Sequence, residues 1–385
     1  MDEAAAGKLI SRDRITDAAA ATLFSADSVK IPDRFVRTDE VQAAGEVVGN
    51  DETFQLPVVD MAKLLDPELS ALETAKLGSA CREWGFFQLV NHGVDEAVMQ
   101  QTKDSVAQFF SSPLEAKNAV AAREGGIQGF GHHFSGASGD KLDWAEGLIL
   151  FTQPLQVRNM DFWPPTNPCT FRRKQIRVYI PNHAEDGQGE YINKVLHGDK
   201  QPHKAPAGVH GDRPRCQSGG AARRLLFLGD GAVKGQSVSM HHYPPCRHHR
   251  DKVVGITPHT DTMALTLLLH ADGTPGLQVK RDGRWYPVPP LPGAVVVNVG
   301  DALDVLTNAA YVSVEHRVVP DAERDRVTVA MFHEASVQGQ VTPLPELLLA
   351  GGLAPRYRST GNLEFRKGTA RAMAQGTRFL DSLKI

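Results

Sequence analysis

Gly255-Ile256-Thr257-Pro258-His259-Thr260-Asp261 is the stretch on which the reading of this chain turns. Pro258 biases Thr257 toward extended backbone. Side chains two apart in an extended segment share a face, so His259 and Asp261 converge on one point. Further on, in Ser313-Val314-Glu315-His316-Arg317-Val318-Val319, the alternation sets His316 beside Val314 and Val318 on the inward face of a strand. Two imidazoles and a carboxylate can occupy one triangular face of an octahedral ferrous ion and leave the opposite three positions open. His259, Asp261 and His316 are therefore the candidate metal ligands. A histidine on an apolar strand face is more often a hydrogen-bonded core residue, so this assignment leans on the strands around it.

One such strand is Arg326-Val327-Thr328-Val329-Ala330-Met331-Phe332. At period two, Val327, Val329 and Met331 form an apolar face, and Arg326, Thr328, Ala330 and Phe332 form the other. An Arg with a hydroxyl beside it makes a carboxylate clamp, because guanidinium offers paired donors in fixed geometry. An Arg at a strand edge otherwise pairs with a nearby Asp. Upstream, Val238-Ser239-Met240-His241-His242-Tyr243 puts His241 and Tyr243 on one face, and Pro244-Pro245 ends the strand. The Tyr243 phenol is a third candidate donor to the same carboxylate.

These residues lie in a text that resembles the plant 2-oxoglutarate- and iron-dependent dioxygenases that oxidise flavonoids, alkaloids and hormones. The matching runs are Tyr243 to Cys246, Gly255 to Asp261, Gly276-Leu277-Gln278-Val279, Asn298-Val299-Gly300-Asp301, Ser313 to Arg317, and Arg326-Val327-Thr328. Near the front, Leu56 to Asp60 and Trp84 to Gly93 are similar to the family's opening strands. The resemblance spans roughly residues 55–171 and 236–385. It implies a mainly β fold with flanking helices around a double-stranded β-helix (jelly-roll) core. It implies Fe(II) on His259, Asp261 and His316, and the far carboxylate of 2-oxoglutarate on Arg326 and Thr328 with help from Tyr243. Phe332 falls where the family places an aromatic against the substrate. The implied reaction consumes O2 and 2-oxoglutarate, releases succinate and CO2, and hydroxylates or O-demethylates a small plant metabolite, with ascorbate as a candidate stimulant. The alternative is an impaired or non-catalytic relative that binds metal or ligand without efficient turnover. Three positions depart from the family pattern: Thr328 replaces a Ser, His241 an Asn, and Ala309, after Asn308, a Gly.

Composition narrows the rest. A chain of 385 residues can hold one large core with helical additions. A formal net charge of −3 gives no reason to expect nucleic acid as a partner. No apolar run is long enough to span a bilayer, and the four cysteines, Cys81, Cys169, Cys216 and Cys246, match neither a disulfide framework nor a zinc spacing. A cytoplasmic monomer acting on a small molecule is the expectation.

Along the chain, the divisions fall at residues 1–51 (extension, with an Ala-rich helix near Ala18 to Phe24), 52–172 (N-terminal α/β region), 173–236, 237–340 (jelly-roll core) and 341–385 (C-terminal helices). Glu73 to Trp84 reads as a helix stopped at Gly85. Asp95 caps a helix carrying Met99, Val106 and Phe109 on one stripe, and Ser112-Pro113-Leu114-Glu115 reads as a capping box. Gly125 to Gly139 has no phosphate-loop lysine and reads as a loop. Asp282-Gly283 marks a tight hairpin, Ala294 to Val299 a strand covered on both faces, and Pro345 to Ala350 and Gly368 to Leu383 closing helices. Residues 173–236 are rich in Gly and Pro and carry no helical period. They read either as a loop insertion or as a piece foreign to the family's structure, from a retained intron or a shifted frame. His183, His197, His203 and His210 there fit no compact metal site.

Overall fold

The computed structural model describes residues 31–37, 47–48, 55–123, 126–133, 141–164, 235–334 and 339–385. The expectations for the Ala18 to Phe24 helix, for the Gly- and Pro-rich segment up to residue 234 and for its four histidines lie outside the described residues.

Strands β1 (Val58–Asp60), β2 (Phe86–Val90), β3 (Gly129–Gly131), β4 (Glu146–Gln153), β5 (Gly235–Tyr243), β7 (Leu265–His270), β10 (Val295–Val299) and β12 (Arg326–Glu334) form one eight-stranded sheet. Its order is β1-β2-β10-β7-β12-β5-β4-β3. A second sheet runs β6 (Ile256–His259), β11 (His316–Val318), β8 (Leu277–Arg281) and β9 (Arg284–Pro287). Strand alternation explains why both are needed. Leu265, Leu267 and Leu269 of β7 and Val327, Val329 and Met331 of β12 pack in one cluster with Leu77, Ala80, Met99, Val106 and Phe109. Those five belong to helices α2 (Ser70–Glu83) and α3 (Glu96–Phe110). The opposite face of the same strands carries Thr266, Leu268, Arg326 and Thr328, which line a cavity shared with the smaller sheet. The fold is thus the expected mainly β architecture with flanking helices, built as a two-sheet jelly roll.

Strand β10 is buried at every position. Val295, Val297 and Val299 join the helix-side cluster and Val296 joins the cluster on the other side, as a strand covered on both faces requires. Asp282 (φ 50°) and Gly283 (φ 78°) form the two-residue turn between β8 and β9, the left-handed pair that this hairpin type demands. Gly85 ends α2 at φ 61°, and a Cβ there would lie 2.2 Å from the Val312 carbonyl, so both handedness and packing call for glycine. The Asp95 carboxylate accepts from Ala97 N at 2.7 Å at the start of α3.

Three local expectations are corrected. Pro113, not Ser112, is the N-cap of α4 (Leu114–Asn118). Ser112 Oγ donates instead to Gln108 O at 2.9 Å, because the last turn of α3 already presents that carbonyl to it. The Gly-rich run read as a loop supplies β3, held by Phe130, which is buried in the core. The closing helix is two: α7 (Asn362–Ala374) and α8 (Phe379–Leu383), separated by a turn with Gly376 at φ 64°.

An ionic chain, buried except at its exposed Asp325 end, braces the sheet on the side away from the cavity. Lys117 Nζ of α4 donates to both Glu146 oxygens of β4 at 3.0 and 2.8 Å. His242 of β5 links Glu146 through Nδ1 (2.8 Å) to Asp325 through Nε2 (2.7 Å). Paired in this way, the charges tolerate burial that none would tolerate alone.

Candidate active site

His259 ends β6 and stands opposite His316 of β11 in the antiparallel register. Directly opposed side chains share a face, and the two imidazole centroids lie 4.3 Å apart. Each ring is oriented by its own backbone. His259 Nδ1 donates to Thr257 O at 2.8 Å, and His316 Nδ1 to Val314 O at 3.1 Å. That leaves both Nε2 atoms turned toward Asp261, whose Oδ1 lies 3.7 Å from His259 Nε2 and 3.8 Å from His316 Nε2. Ligands at about 2.1 Å from one divalent ion sit about 3 Å apart, so a slight inward movement closes the triangle. His259, Asp261 and His316 form the one His/Cys/Asp/Glu cluster with metal-binding spacing among the described residues.

The other oxygen of Asp261 is already engaged. Its Oδ2 accepts from Thr266 Oγ1 at 2.5 Å and from Asn298 Nδ2 at 2.7 Å. Both donors sit on the main sheet, so the carboxylate is turned with Oδ1 toward the histidines. Burial alone would raise the Asp261 pKa, but the two imidazoles and these two donors outweigh it and hold the group below its ordinary value. Burial, then the neighbouring His316, pushes His259 down to about 4, so its ring is neutral at neutral pH with a lone pair on Nε2. Behind β6, Asp143 takes Thr257 Oγ1 at 2.6 Å and Thr257 N at 3.1 Å and pairs with Arg37 Nη2 at 2.9 Å. The carbonyl that orients His259 is thereby anchored.

Arg326 opens β12 opposite Tyr243 of β5, and Thr328 stands opposite His241. Arg326 is fully buried, with its guanidinium carbon 4.9 Å from the Tyr243 ring centroid. Nε, Nη1 and Nη2 of Arg326 and Oγ1 of Thr328 have no hydrogen-bond partner among the described residues. Burial holds the Arg326 pKa below the ordinary value, and the Tyr243 phenol and the Asp272 charge offset that only in part. A carboxylate is the group that satisfies the guanidinium. Gly276, at φ 156°, makes room, since a Cβ there would stand 2.9 Å from Arg326 Cδ. The donor set therefore fits both a facial metal site and a dicarboxylate co-substrate.

All seven residues named from the sequence, His259, Asp261, His316, Arg326, Thr328, Tyr243 and Phe332, line one cavity of about 240 Å³. At about 3.3 Å per residue, Arg326 and Phe332 stand about 20 Å apart along β12, so the clamp and the aromatic lie at opposite ends. Near Phe332 the lining includes Ile149, Phe151, Met263 and Met373, with Glu334 and Arg366 paired at 3.1 Å. His241, the departure from the family's Asn, is buried on this cavity and its pKa falls to about 3 through burial, His133 and Arg326. It is therefore a neutral polar group. Ala309 adopts φ 63°, the left-handed conformation its expected glycine would have taken without strain.

The sequence reading left Thr266, Asn298, Asp143, Glu334 and Arg366 without roles. Asn298 carried a signal, as a lone amide in the otherwise apolar strand Val295–Val299, and a buried amide needs a partner. Thr266 in Leu265–His270 carried none.

Comparison with known proteins gives consistent matches. Residues 56–166 match the family described as non-haem dioxygenase in morphine synthesis N-terminal, and residues 234–335 match the 2OG-Fe(II) oxygenase superfamily. The chain is 34% identical over 362 residues to 2-oxoglutarate-dependent dioxygenase 11 of Oryza sativa subsp. japonica, covering 92% of each chain. It is 32% identical over 362 residues to codeine O-demethylase of Papaver somniferum, again covering 92% of each. Its structure is similar to that of JOX2 in complex with 2OG, Fe and JA, with a TM-score of 0.73, 25% identity, and 95% and 97% of the two chains covered.

Proposed function

The chain belongs to the 2OG-Fe(II) oxygenase superfamily and is an iron- and 2-oxoglutarate-dependent dioxygenase, and from that premise we propose that it hydroxylates or O-demethylates a small plant metabolite. The observation that carries the reading is the joining, in one cavity, of the His259–Asp261–His316 triangle to the partnerless donors of Arg326 and Thr328. In this reading, iron held by the triangle supplies the activation of O2 that oxidises 2-oxoglutarate to succinate and CO2 and the substrate in the same turnover.

The chain's own residues do the rest. Thr266 and Asn298 hold Asp261 so that one oxygen faces the ion. The carbonyls of Thr257 and Val314 keep both Nδ1 protons in place and both Nε2 atoms directed inward. Arg326 and Thr328, with Tyr243 beside them, take the far carboxylate and so aim the keto-acid end at the triangle. Ile149, Phe151 and Phe332 give the substrate end an apolar wall that excludes water, with Phe332 against the substrate. The Glu334–Arg366 pair adds no net charge there. O-demethylation is supported by relatives named codeine O-demethylase, thebaine 6-O-demethylase and flavonoid 7-O-demethylase 1. The same reading has the protein working as a cytoplasmic monomer without nucleic acid; no helix among the described residues is long and apolar enough to cross a membrane.

The test is an anaerobic titration with Fe(II) and 2-oxoglutarate, followed by O2 and a panel of plant phenolics and alkaloids. Succinate should form in step with a product that has gained one oxygen or lost one methyl group. Ligand binding without succinate from any substrate marks an impaired relative and refutes the proposal.

A further inference from the structure

Thr328 has a histidine on each side. In register it faces His241 of β5 and His270 of β7, and side chains directly opposite across strands share a face at about 5 Å between Cβ atoms. The parity of β7 agrees: Thr266 and Leu268 line the cavity, and His270, two residues further on, shares their face just outside that lining. His270 is buried, with 7% of its surface exposed, and neither ring nitrogen has a hydrogen-bond partner among the described residues. Burial, then the positive charges of Arg326 and Lys103, hold its pKa down to about 3, so the ring is neutral and offers one N–H. The buried polar atoms lacking partners thus include three guanidinium nitrogens of Arg326, the Thr328 hydroxyl and the His270 ring, gathered on neighbouring positions of two paired strands. A buried imidazole left in this state is costly. One carboxylate can accept one hydrogen bond from each of these three residues and one from Tyr243, because its two oxygens offer about four lone-pair sites.

We propose that His270 donates a hydrogen bond to the far carboxylate of 2-oxoglutarate, making it a further co-substrate-binding residue alongside Arg326, Thr328 and Tyr243. The inference rests on the assignment of Arg326 to that carboxylate. It adds a recognition element to the dicarboxylate end, so that His270 contributes to the preference for 2-oxoglutarate over 2-oxo acids that lack a second carboxylate.

The experiment uses the full-length protein loaded with Mn(II) under nitrogen, so that binding is read without turnover. Isothermal titration follows 2-oxoglutarate and, separately, pyruvate, which keeps the keto-acid head but has no far carboxylate. His270→Leu removes the N–H at similar volume, His270→Met is a second removing variant should the first not fold, and His270→Gln keeps a donor. The expected result is about a tenfold or greater weakening for 2-oxoglutarate in the removing variants, the range for a hydrogen bond to a charged group. Pyruvate affinity should stay within about twofold of wild type, and His270→Gln should recover most of the loss. Equal losses for both ligands would mean that His270 only packs the sheet, and an unchanged 2-oxoglutarate constant would mean that its partner is water; either overturns the inference. Arg326→Gln separates the levels. If it abolishes the preference for 2-oxoglutarate while His270→Leu keeps it, only the role of His270 fails. If Arg326→Gln leaves that preference intact, the placement of the carboxylate itself fails.

Discussion

Thr266→Val is the substitution that most directly tests how the metal triangle is held. The methyl-for-hydroxyl exchange keeps the shape of a residue buried in β7 and removes the 2.5 Å bond to Asp261 Oδ2. A hydrogen bond to a charged acceptor contributes about 1.5–3 kcal/mol. The Asn298 donor at 2.7 Å remains, so the carboxylate stays ionised but is free to rotate about a single restraint. Loss of such an orienting partner weakens metal binding about 10- to 100-fold, which is about 1.4–2.8 kcal/mol and agrees with the bond's own worth. Competition between the protein and a chelator for Mn(II), run anaerobically, measures the constant, and thermal melting of the metal-free protein shows whether the fold is intact. Thr266→Ser should bind as wild type does, and Asn298→Ala should weaken binding by a similar factor. If both Thr266→Val and Asn298→Ala stay within about twofold of wild type with unaltered melting, Asp261 is not oriented by its neighbours and the argument is wrong.

Single alanine substitutions at His259, Asp261 or His316 should each abolish metal binding or activity, and near-normal turnover in any of them would remove that residue from the triangle. Arg326→Ala should raise the KM for 2-oxoglutarate roughly ten- to a hundredfold and leave that for the organic substrate nearly unchanged, whereas Thr328→Ser should be mild because the hydroxyl remains. His242 gives a pH signature. Burial alone would lower its pKa, but its bonds to Asp325 and Glu146 raise it above the ordinary 6.5. Its proton therefore contributes fully to stability below about pH 6.5 and ceases to as the pH climbs through the raised value. The melting temperature of wild type should accordingly fall relative to that of His242→Gln as the pH rises from neutral, and parallel curves would contradict the assignment. Ala309→Gly should relieve a left-handed alanine at φ 63°. That conformation costs roughly 1–2 kcal/mol, against about 0.5–1 kcal/mol of added unfolded-state freedom, so the melting temperature of so long a chain should rise by about one to two degrees; a drop would show that the turn prefers its methyl.

Faces and chemistry were legible in the one-dimensional text because they depend on adjacent residues. The two-residue period of β12 put Arg326, Thr328 and Phe332 on one side and Val327, Val329 and Met331 on the other, and the structure has them so. Asp282-Gly283 specified its turn for the same reason, since left-handed dihedrals are a property of the residues that adopt them. The sequence also named His259, Asp261 and His316 as candidate metal ligands, through the spacing of the first two and the strand around the third, and the structure brings those three together. Local signals failed where two of them competed, as at Ser112, whose hydroxyl bonds the carbonyl four residues back in the preceding helix instead of capping the next one. Which side chains became neighbours was decided by tertiary structure alone. The pairing of β6 with β11 set His259 opposite His316, and the meeting of β7 and β10 behind the triangle gave Asp261 its two donors. The flanking of Thr328 by His241 and His270 required β12 to lie between β5 and β7. Strand order of that kind follows from closing long loops and burying one face of each strand against distant partners. No window of neighbouring residues contains it, so the sequence declared the groups that do the chemistry and the fold chose which of them stand together.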